Sequence, residues 1–176
     1  MSENKLLILG AGGFGQSIAE VAELLDTWES ISFVDDRWPG QQWAGCYPII
    51  SNIQNLSLLN LQDFDAIIAV GNNQIRQKWH QLLLDLSIPI TTIIHPQTII
   101  APSAKIGQGV IIMAGCVIGT NTILQDSVVL NIGTLLDHDV IIEHFAHLSI
   151  GVKVASNNVI PTCSFLEVGS IIEHKS

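Results

Sequence analysis

Positive charge is scarce in this sequence. Seven lysines and arginines stand against sixteen aspartates and glutamates, leaving a formal charge of −9. A nucleic acid or an anionic membrane surface wants a basic face, so neither is expected as a partner. Any anionic ligand must then be held by local groups and not by the overall field. Cysteine is rare too. Cys46, Cys116 and Cys163 are an odd number without a CxxC pair, which argues against a disulfide framework and against a zinc site. Long apolar runs are missing as well. No window approaches the roughly 18 uninterrupted apolar residues of a membrane span, and Lys5 to Leu9 breaks at once into glycines, unlike a signal peptide. These absences point to a soluble cytoplasmic protein. A length of 176 residues at 48% hydrophobic suits one or two compact units.

What is abundant is periodicity. Thr98 to Lys175 can be written as thirteen six-residue blocks without an insertion or deletion, and the third position is aliphatic every time, from Ile100, Ile106 and Ile112 to Leu166 and Ile172. Helical heptads would drift out of this frame, and hairpins would need turn signals at a longer spacing, so the period selects a parallel β-helix. Three blocks, or 18 residues, make one coil of a triangular prism, and coils stack at about 4.8 Å by main-chain hydrogen bonding. Position three fills the shaft, position one sits beside it and is mostly small or β-branched, and position two points out. That outward row is apolar in ten of thirteen blocks, with Lys105, His147 and Lys153 the exceptions. Such a row predicts outer faces packed on other subunits or on the rest of the chain.

Residues 1–96 read differently. Lys5 to Leu9 predicts a buried strand, Gly10 to Gly15 a tight turn, Ser17 to Leu25 a helix, and Ile31 to Val34 a second strand ending at Asp35-Asp36. Arg37 to Pro48 reads as an irregular loop with packing tryptophans. Asp65 to Val70 is a further strand closed by Gly71-Asn72-Asn73, Gln74 to Leu86 a helix carrying Ile75, Trp79, Leu82, Leu83 and Leu86, and Pro89 to Ile94 a last strand. Strands alternating with helices predict a small doubly wound parallel sheet, a Rossmann-like α/β domain over 1–96 followed by the β-helix over 97–176.

Gly10, Gly12 and Gly15 fit G-x-G-x-x-G between a strand and a helix, where the backbone can approach a phosphate at the helix amino terminus. Asp35 lies 20 residues beyond Gly15 at a strand end, where a carboxylate can accept from ribose hydroxyls. About 90 residues make little more than one mononucleotide-binding half, which favours a single nucleotide moiety over NAD. In the prism the densest polar cluster is Asp137-His138-Asp139, followed by Glu143-His144 and His147. A histidine between two aspartates at a coil corner is either a solvated surface residue or a general base. Ser156 sits one coil above His138, with its N–H near whatever His138 acts on. The spacing of His138, His144 and His147 puts them on different corners and faces, so no metal site is expected.

Taken together, Gly10 to Gly15, Val34-Asp35-Asp36, Ala69 to Arg76 and Asp137 to Gly151 carry a resemblance covering the chain from end to end. The chain resembles the bacterial sugar-nucleotide acetyltransferases of the left-handed β-helix class, which include sialic acid O-acetyltransferases and 4-amino-4,6-dideoxy-sugar N-acetyltransferases. The left hand is implied by the resemblance alone, since crossover preferences would suggest the opposite. The resemblance implies that His138 is the base and Asp139 the acidic neighbour that raises its basicity. It places His147, Ser156 and Val168 against acetyl-CoA, with the Ser156 N–H facing the thioester carbonyl. It assigns Gly12, Gly13 and Phe14 to a phosphate turn, Asp35 and Asp36 to the nucleoside, and Gly71 to the neighbourhood of the sugar.

Three departures stand out. Phe14 occupies a common histidine position, and Glu143, Pro161 and Glu167 occupy common glycine positions. The chain also stops at its thirteenth block, where relatives run on, which predicts an uncapped coil and a reduced coenzyme site. The expected function is acetyl transfer from acetyl-CoA to a nucleotide-linked 4-amino-4,6-dideoxy sugar by a homotrimer. The alternatives are a sialic acid O-acetyltransferase or a non-catalytic sugar-nucleotide-binding scaffold.

Overall fold

The computed structural model describes residues 4–174, so Lys175, the last residue of the thirteenth block, lies outside the described residues. The chain divides into two compact units between Thr91 and Thr92. No helix among the described residues is long and apolar enough to cross a membrane.

The first unit is built from β1 (Lys5–Leu9), α1 (Gly13–Leu25), β2 (Ser30–Val34), β3 (Trp43–Ala44), β4 (Tyr47–Ser51), β5 (Phe64–Ile68) and α2 (Asn73–Asp85), with a 3₁₀ turn at Ile53–Leu58. The sheet order is β3-β4-β2-β1-β5. The central strand β1 pairs in parallel with β2 and β5 along its whole length, Leu9 lying between Val34 and Ile68. Leu6 to Leu9 are fully buried, as expected of a strand covered on both faces. Parallel pairing brings the carboxyl ends of β1, β2 and β5 to one edge, where Gly10, Asp35 and Ala69 follow.

Two local readings of this unit change. The loop expected over Arg37 to Pro48 contains an antiparallel β3–β4 pair, and β4 extends the sheet in parallel to β2 with a register shift beside Phe33 and Val34. Pro48 has no N–H for a ladder, so the segment reads as loop although it works as a strand near the sheet edge. The face that α2 buries carries Asn73, Arg76, His80 and Leu83, whereas Ile75 is 39% exposed. Trp79, Leu82 and Leu86 are only half-buried against the cluster around Leu83. A polar arc can go under because its hydrogen bonds are made inside: the Arg76 guanidinium donates to the Val70 carbonyl at 2.9 Å and to Asn73 Oδ1 at 2.8 Å.

The second unit is a left-handed parallel β-helix. Its two-residue strands form three sheets of five, four and five, and partners lie 18 residues apart, as in Val117↔Leu135 and Leu135↔Lys153. The repeat begins one block earlier than the sequence reading placed it. Ile93–Ile94, expected as the last strand of the first unit, pairs with Ile111–Ile112 as a side of the prism. Positions one and three form the shaft core, including Val110, Ile112, Cys116, Ile118, Leu124 and Val128. From the second block to the twelfth, position six turns each corner in the left-handed region, with φ between +53° and +72°. Glycine fills it at 109, 115, 133, 151 and 169, but Asn121, Ser127, Asp139, Phe145, Asn157 and Cys163 also adopt it. Of the outward residues, Ile93, Ile111, Val129 and His147 on one face are buried, whereas Ile99, Leu135 and Ile171 on another are exposed.

The glycine motif contains two different constraints. A Cβ at Gly15 would lie 1.9 Å from the Gly10 carbonyl oxygen, because α1 presses directly on the end of β1, whereas nothing lies within 4 Å of a Cβ at Gly12. Gly15→Ala should therefore cost about 3 kcal/mol or more of unfolding free energy by overpacking against backbone, and Gly12→Ala less than about 1 kcal/mol. Urea denaturation of the two variants checks this, and equal midpoints would contradict the packing argument.

Candidate active site

All six residues nominated in the first unit line one cleft of about 490 Å³ at the carboxyl edge of the sheet: Gly12, Gly13, Phe14, Asp35, Asp36 and Gly71. Gly12 is the N-cap of α1 and has an extended backbone, and no side chain caps this helix. The second helix also starts at the cleft, where Asn72 caps it by accepting the Ile75 N–H at 3.0 Å. Two helix amino termini thus bring their dipoles and amide donors to one opening, which is the local means of holding an anion in a chain of negative net charge.

Asp35 is more heavily engaged than its position suggested. Oδ1 accepts from Arg37 Nε at 2.6 Å and the Arg37 backbone N–H at 3.0 Å. Oδ2 accepts from Arg37 Nη2 at 2.9 Å and the Ala11 N–H at 2.8 Å. These bonds occupy about all four lone-pair sites of a carboxylate. The Arg37 side chain, followed by the Ala11 amide, holds the Asp35 carboxyl down to about 2 despite its partial burial. Arg37 lines the cleft and was not among the nominated residues; its signal is a guanidinium two positions after a strand-end aspartate. Asp36 Oδ1 instead accepts the Ile53 N–H at 3.3 Å.

In the prism, His138 and Asp139 form a contact at an exposed corner, with His138 Nδ1 2.7 Å from Asp139 Oδ2. Asp139 also accepts from the Asn121 side chain at 3.0 Å, and its N–H donates to the Thr120 carbonyl at 2.8 Å. The hydrogen bond to His138, then that from Asn121, lowers the Asp139 pKa. An ionised carboxylate can only accept, so Nδ1 carries the proton and the Nε2 lone pair of neutral His138 is left as the base. The same hydrogen bond, aided by the charges of Asp137 and Asp139, raises the His138 pKa above the ordinary histidine value. Asp139 holds this position with φ at +55°, a conformation that disfavours a side chain by roughly 1–2 kcal/mol. One coil below, a Cβ at Gly119 would come within 2.6 Å of the Asp137 carbonyl carbon and 2.9 Å of the His138 nitrogen, so the corner rests directly on glycine.

Ser156 belongs to the same corner. The Asn157 N–H donates to the His138 carbonyl at 3.3 Å, and the Ser156 hydroxyl lies 3.3 Å from His174 Nδ1 one coil further on. Beside this corner runs a groove of about 570 Å³ lined by Leu135, Asp137, Lys153, Ala155, Ile171 and His174. His147 and Val168 are elsewhere. His147 is buried, with its ring edge-on to Phe165 at 4.9 Å between centroids. Val168 is 67% exposed at a separate corner, where the Gly169 N–H donates to the Ile150 carbonyl at 2.8 Å. Glu143, one of the departures from the repeat, accepts from the Thr162 N–H and hydroxyl at 2.9 and 3.0 Å and so ties its corner to the next coil. No cluster of three or more metal-ligating side chains occurs among the described residues.

Residues 5–83 match the family described as the PglD N-terminal domain. Over 112 residues, 61% of this chain, the sequence is 31% identical to a UDP-N-acetylbacillosamine N-acetyltransferase of Bacillus subtilis (strain 168), and the chain spans about half the length of that curated relative. The solved acetyltransferase domain of PglB from Neisseria gonorrhoeae FA1090 superposes with a TM-score of 0.91 at 36% identity, covering 96% of this chain and 82% of that one. The same domain in complex with acetyl coenzyme A gives 0.78 at 29% identity, covering 96% and 95%.

The saturation of Asp35 generates a direct check. In Arg37→Ala the carboxylate loses its largest stabilising partner, so its pKa should climb from about 2 toward the ordinary carboxylate range. A ¹³C NMR titration of the Asp35 carboxyl carbon measures it, and an unchanged midpoint would mean that the backbone amides of Ala11 and residue 37 sustain the depression without the guanidinium.

Proposed function

The chain belongs to the sugar-nucleotide acetyltransferases of the hexapeptide-repeat class, and from that premise we propose that it moves acetyl from acetyl-CoA to the amino group of a nucleotide-linked 4-amino-4,6-dideoxy sugar. The observation that carries this reading is the His138–Asp139 pair at an exposed corner, stacked beneath Ser156. In this reaction a neutral amine attacks the thioester carbonyl carbon, forming the C–N bond and an oxyanion. The amine proton passes to His138 Nε2, Asp139 stabilises the imidazolium, and the Ser156 N–H faces the oxyanion. Collapse breaks the C–S bond, and the coenzyme leaves as the thiol after taking that proton.

The remaining assignments follow from the same reading. Gly12, Gly13 and Phe14 receive the diphosphate at the start of α1, and Asp35 and Asp36 stand at the nucleoside. For Asp35 to accept a ribose hydroxyl the Arg37 side chain must swing away, which its half-exposed position allows. Gly71 borders the sugar and Ser156 contacts acetyl-CoA; for His147, buried against Phe165, and Val168, at a separate corner, the coenzyme contact rests on the family resemblance alone. The assembly is a homotrimer acting in the cytoplasm, where acetyl-CoA is available. The exposed Ile99, Leu135 and Ile171 on one prism face support the trimer, because such a row is unfavourable in water.

His138→Ala should lower turnover by roughly 10²- to 10⁴-fold with little change in nucleotide affinity, the usual worth of a general base. Wild-type turnover in this variant, assayed with a UDP-linked 4-amino sugar and acetyl-CoA, would leave the scaffold reading as the better account. The base must be neutral, so activity should rise with pH through the His138 pKa, with a midpoint above the ordinary histidine value. Asp139→Asn removes the partner that raises it, and the midpoint of this limb in the kcat/KM profile should fall. Light scattering after size exclusion checks the trimer; a stable monomer at micromolar concentration would remove it.

A further inference from the structure

We infer that Asn158 is a positioning residue for the oxyanion donor: from inside the prism its carboxamide sets the Ala155–Ser156 peptide so that the Ser156 N–H points out toward the coenzyme groove. The inference rests on the acetyl-transfer reading and deepens it. Asn158 occupies position one of its block, the row whose members Val110, Cys116, Val128, Val140, Ala146 and Val152 belong to the shaft core. It is 2% exposed. A carboxamide in such a row is unfavourable unless its hydrogens find acceptors.

They do. Asn158 Nδ2 donates to the Ala155 carbonyl at 2.9 Å and to the Glu173 carbonyl of the next coil at 3.0 Å, with a longer approach of 3.4 Å to the Ser156 carbonyl. The first of these bonds has a geometric consequence. Ala155 C=O and Ser156 N–H belong to one peptide unit, which is trans, so they point in opposite directions across a rigid plane. A carbonyl drawn inward to Asn158 turns the Ser156 N–H outward. Among the described residues nothing accepts from that N–H, and Ala155 lines the groove beside the His138 corner. The carbonyl hydrogen bond also polarises the peptide and makes its N–H a stronger donor.

Other corners use the same acceptor positions with fewer hydrogens. Thr134 Oγ1 reaches the carbonyls of Asn131 at 2.8 Å and Ser149 at 3.4 Å, and Thr122 Oγ1 reaches only the next coil, at the Asp137 carbonyl 2.9 Å away, each through a single hydroxyl hydrogen. Asn158 brings two hydrogens and anchors its own corner and the next coil together. The bond to Glu173 holds the carbonyl next to His174, whose ring meets the Ser156 hydroxyl. Asn158 thus fixes the corner that carries the oxyanion donor from both sides.

The test uses the full-length protein with Asn158→Val, which matches the valines of the same row, and Asn158→Thr, which supplies one hydroxyl hydrogen as Thr122 does. Turnover is measured with acetyl-CoA and the amino-sugar nucleotide, CoA affinity by calorimetry, and the Ser156 amide by its ¹H–¹⁵N shift. Asn158→Val should lower kcat at least tenfold while CoA affinity and the acceptor KM stay within about twofold, and it should move the Ser156 amide signal. Asn158→Thr should restore part of kcat. Undiminished kcat in Asn158→Val, or a Ser156 amide signal that does not move, overturns the inference. Should Asn158→Val fail to fold, Asn158→Thr carries the same readouts, with full kcat and an unmoved amide as the overturning result. If the wild-type protein transfers no acetyl, the functional reading falls on its own, and the amide shift alone decides whether Asn158 sets the peptide.

Discussion

Main-chain hydrogen bonding between coils is the constraint from which the rest of the prism follows. Each strand donates to the carbonyls of the next coil, as Val117 does to Thr134 at 3.0 Å and Leu135 to Val152 at 2.9 Å. With two-residue strands these bonds admit a single register, because a slip of one residue would exchange the shaft row with the outward row. Residues 18 apart are therefore forced to superpose. Gly119, Asp137 with His138, Ser156 and His174 are distant in sequence but form one column at one corner, and the candidate chemistry occupies that column.

The corners show what the register demands of individual residues. Position six turns left-handed in every block from the second to the twelfth, and six of those residues are not glycine. Asp139 is one of them. Its conformation is disfavoured, yet it is held by the Thr120 carbonyl, the Asn121 side chain and His138, so that the carboxylate is fixed beside the imidazole. Neighbouring corners use the same devices for stacking alone: Glu143 accepts from Thr162, and Thr134 donates to the corner carbonyls of Asn131 and Ser149. The candidate catalytic corner and its neighbours differ in which group is left facing solvent, not in how the coil is built.

On the proposed reading the first unit must hold an anion in a chain of formal charge −9. The groups available for that are local. Parallel pairing of β1, β2 and β5 places two helix amino termini at one edge, and the close seat of Gly15 on Gly10 keeps the first of them against the strand end. Arg37 places a positive group in the cleft while neutralising Asp35, so the paired aspartate and arginine bring no net charge to it. Long-range repulsion from the other carboxylates is weakened by solvent and salt, whereas these contacts act at hydrogen-bond distance.

By itself the sequence determined what depends on spacing. The six-residue period set the prism, its inward row and the superposition of Ser156 on His138; the G-x-G-x-x-G run between strand and helix set the cleft and the place of Asp35 at its edge. These features were legible because chain geometry converts residue number into position with no knowledge of partners. Only the tertiary structure decided which donors and acceptors are already taken. It filled Asp35 with Arg37 and Ala11, and it buried Arg76 and His80 where an apolar face was expected. It moved Ile93–Ile94 into the prism, covered His147, and turned the carboxamide of Asn158 toward Ala155 and Glu173. The reason is physical. Hydropathy patterns record the average cost of burying a side chain, but a polar group goes inside when particular carbonyls and carboxylates lie within about 3 Å, and that coincidence exists only once the chain has folded.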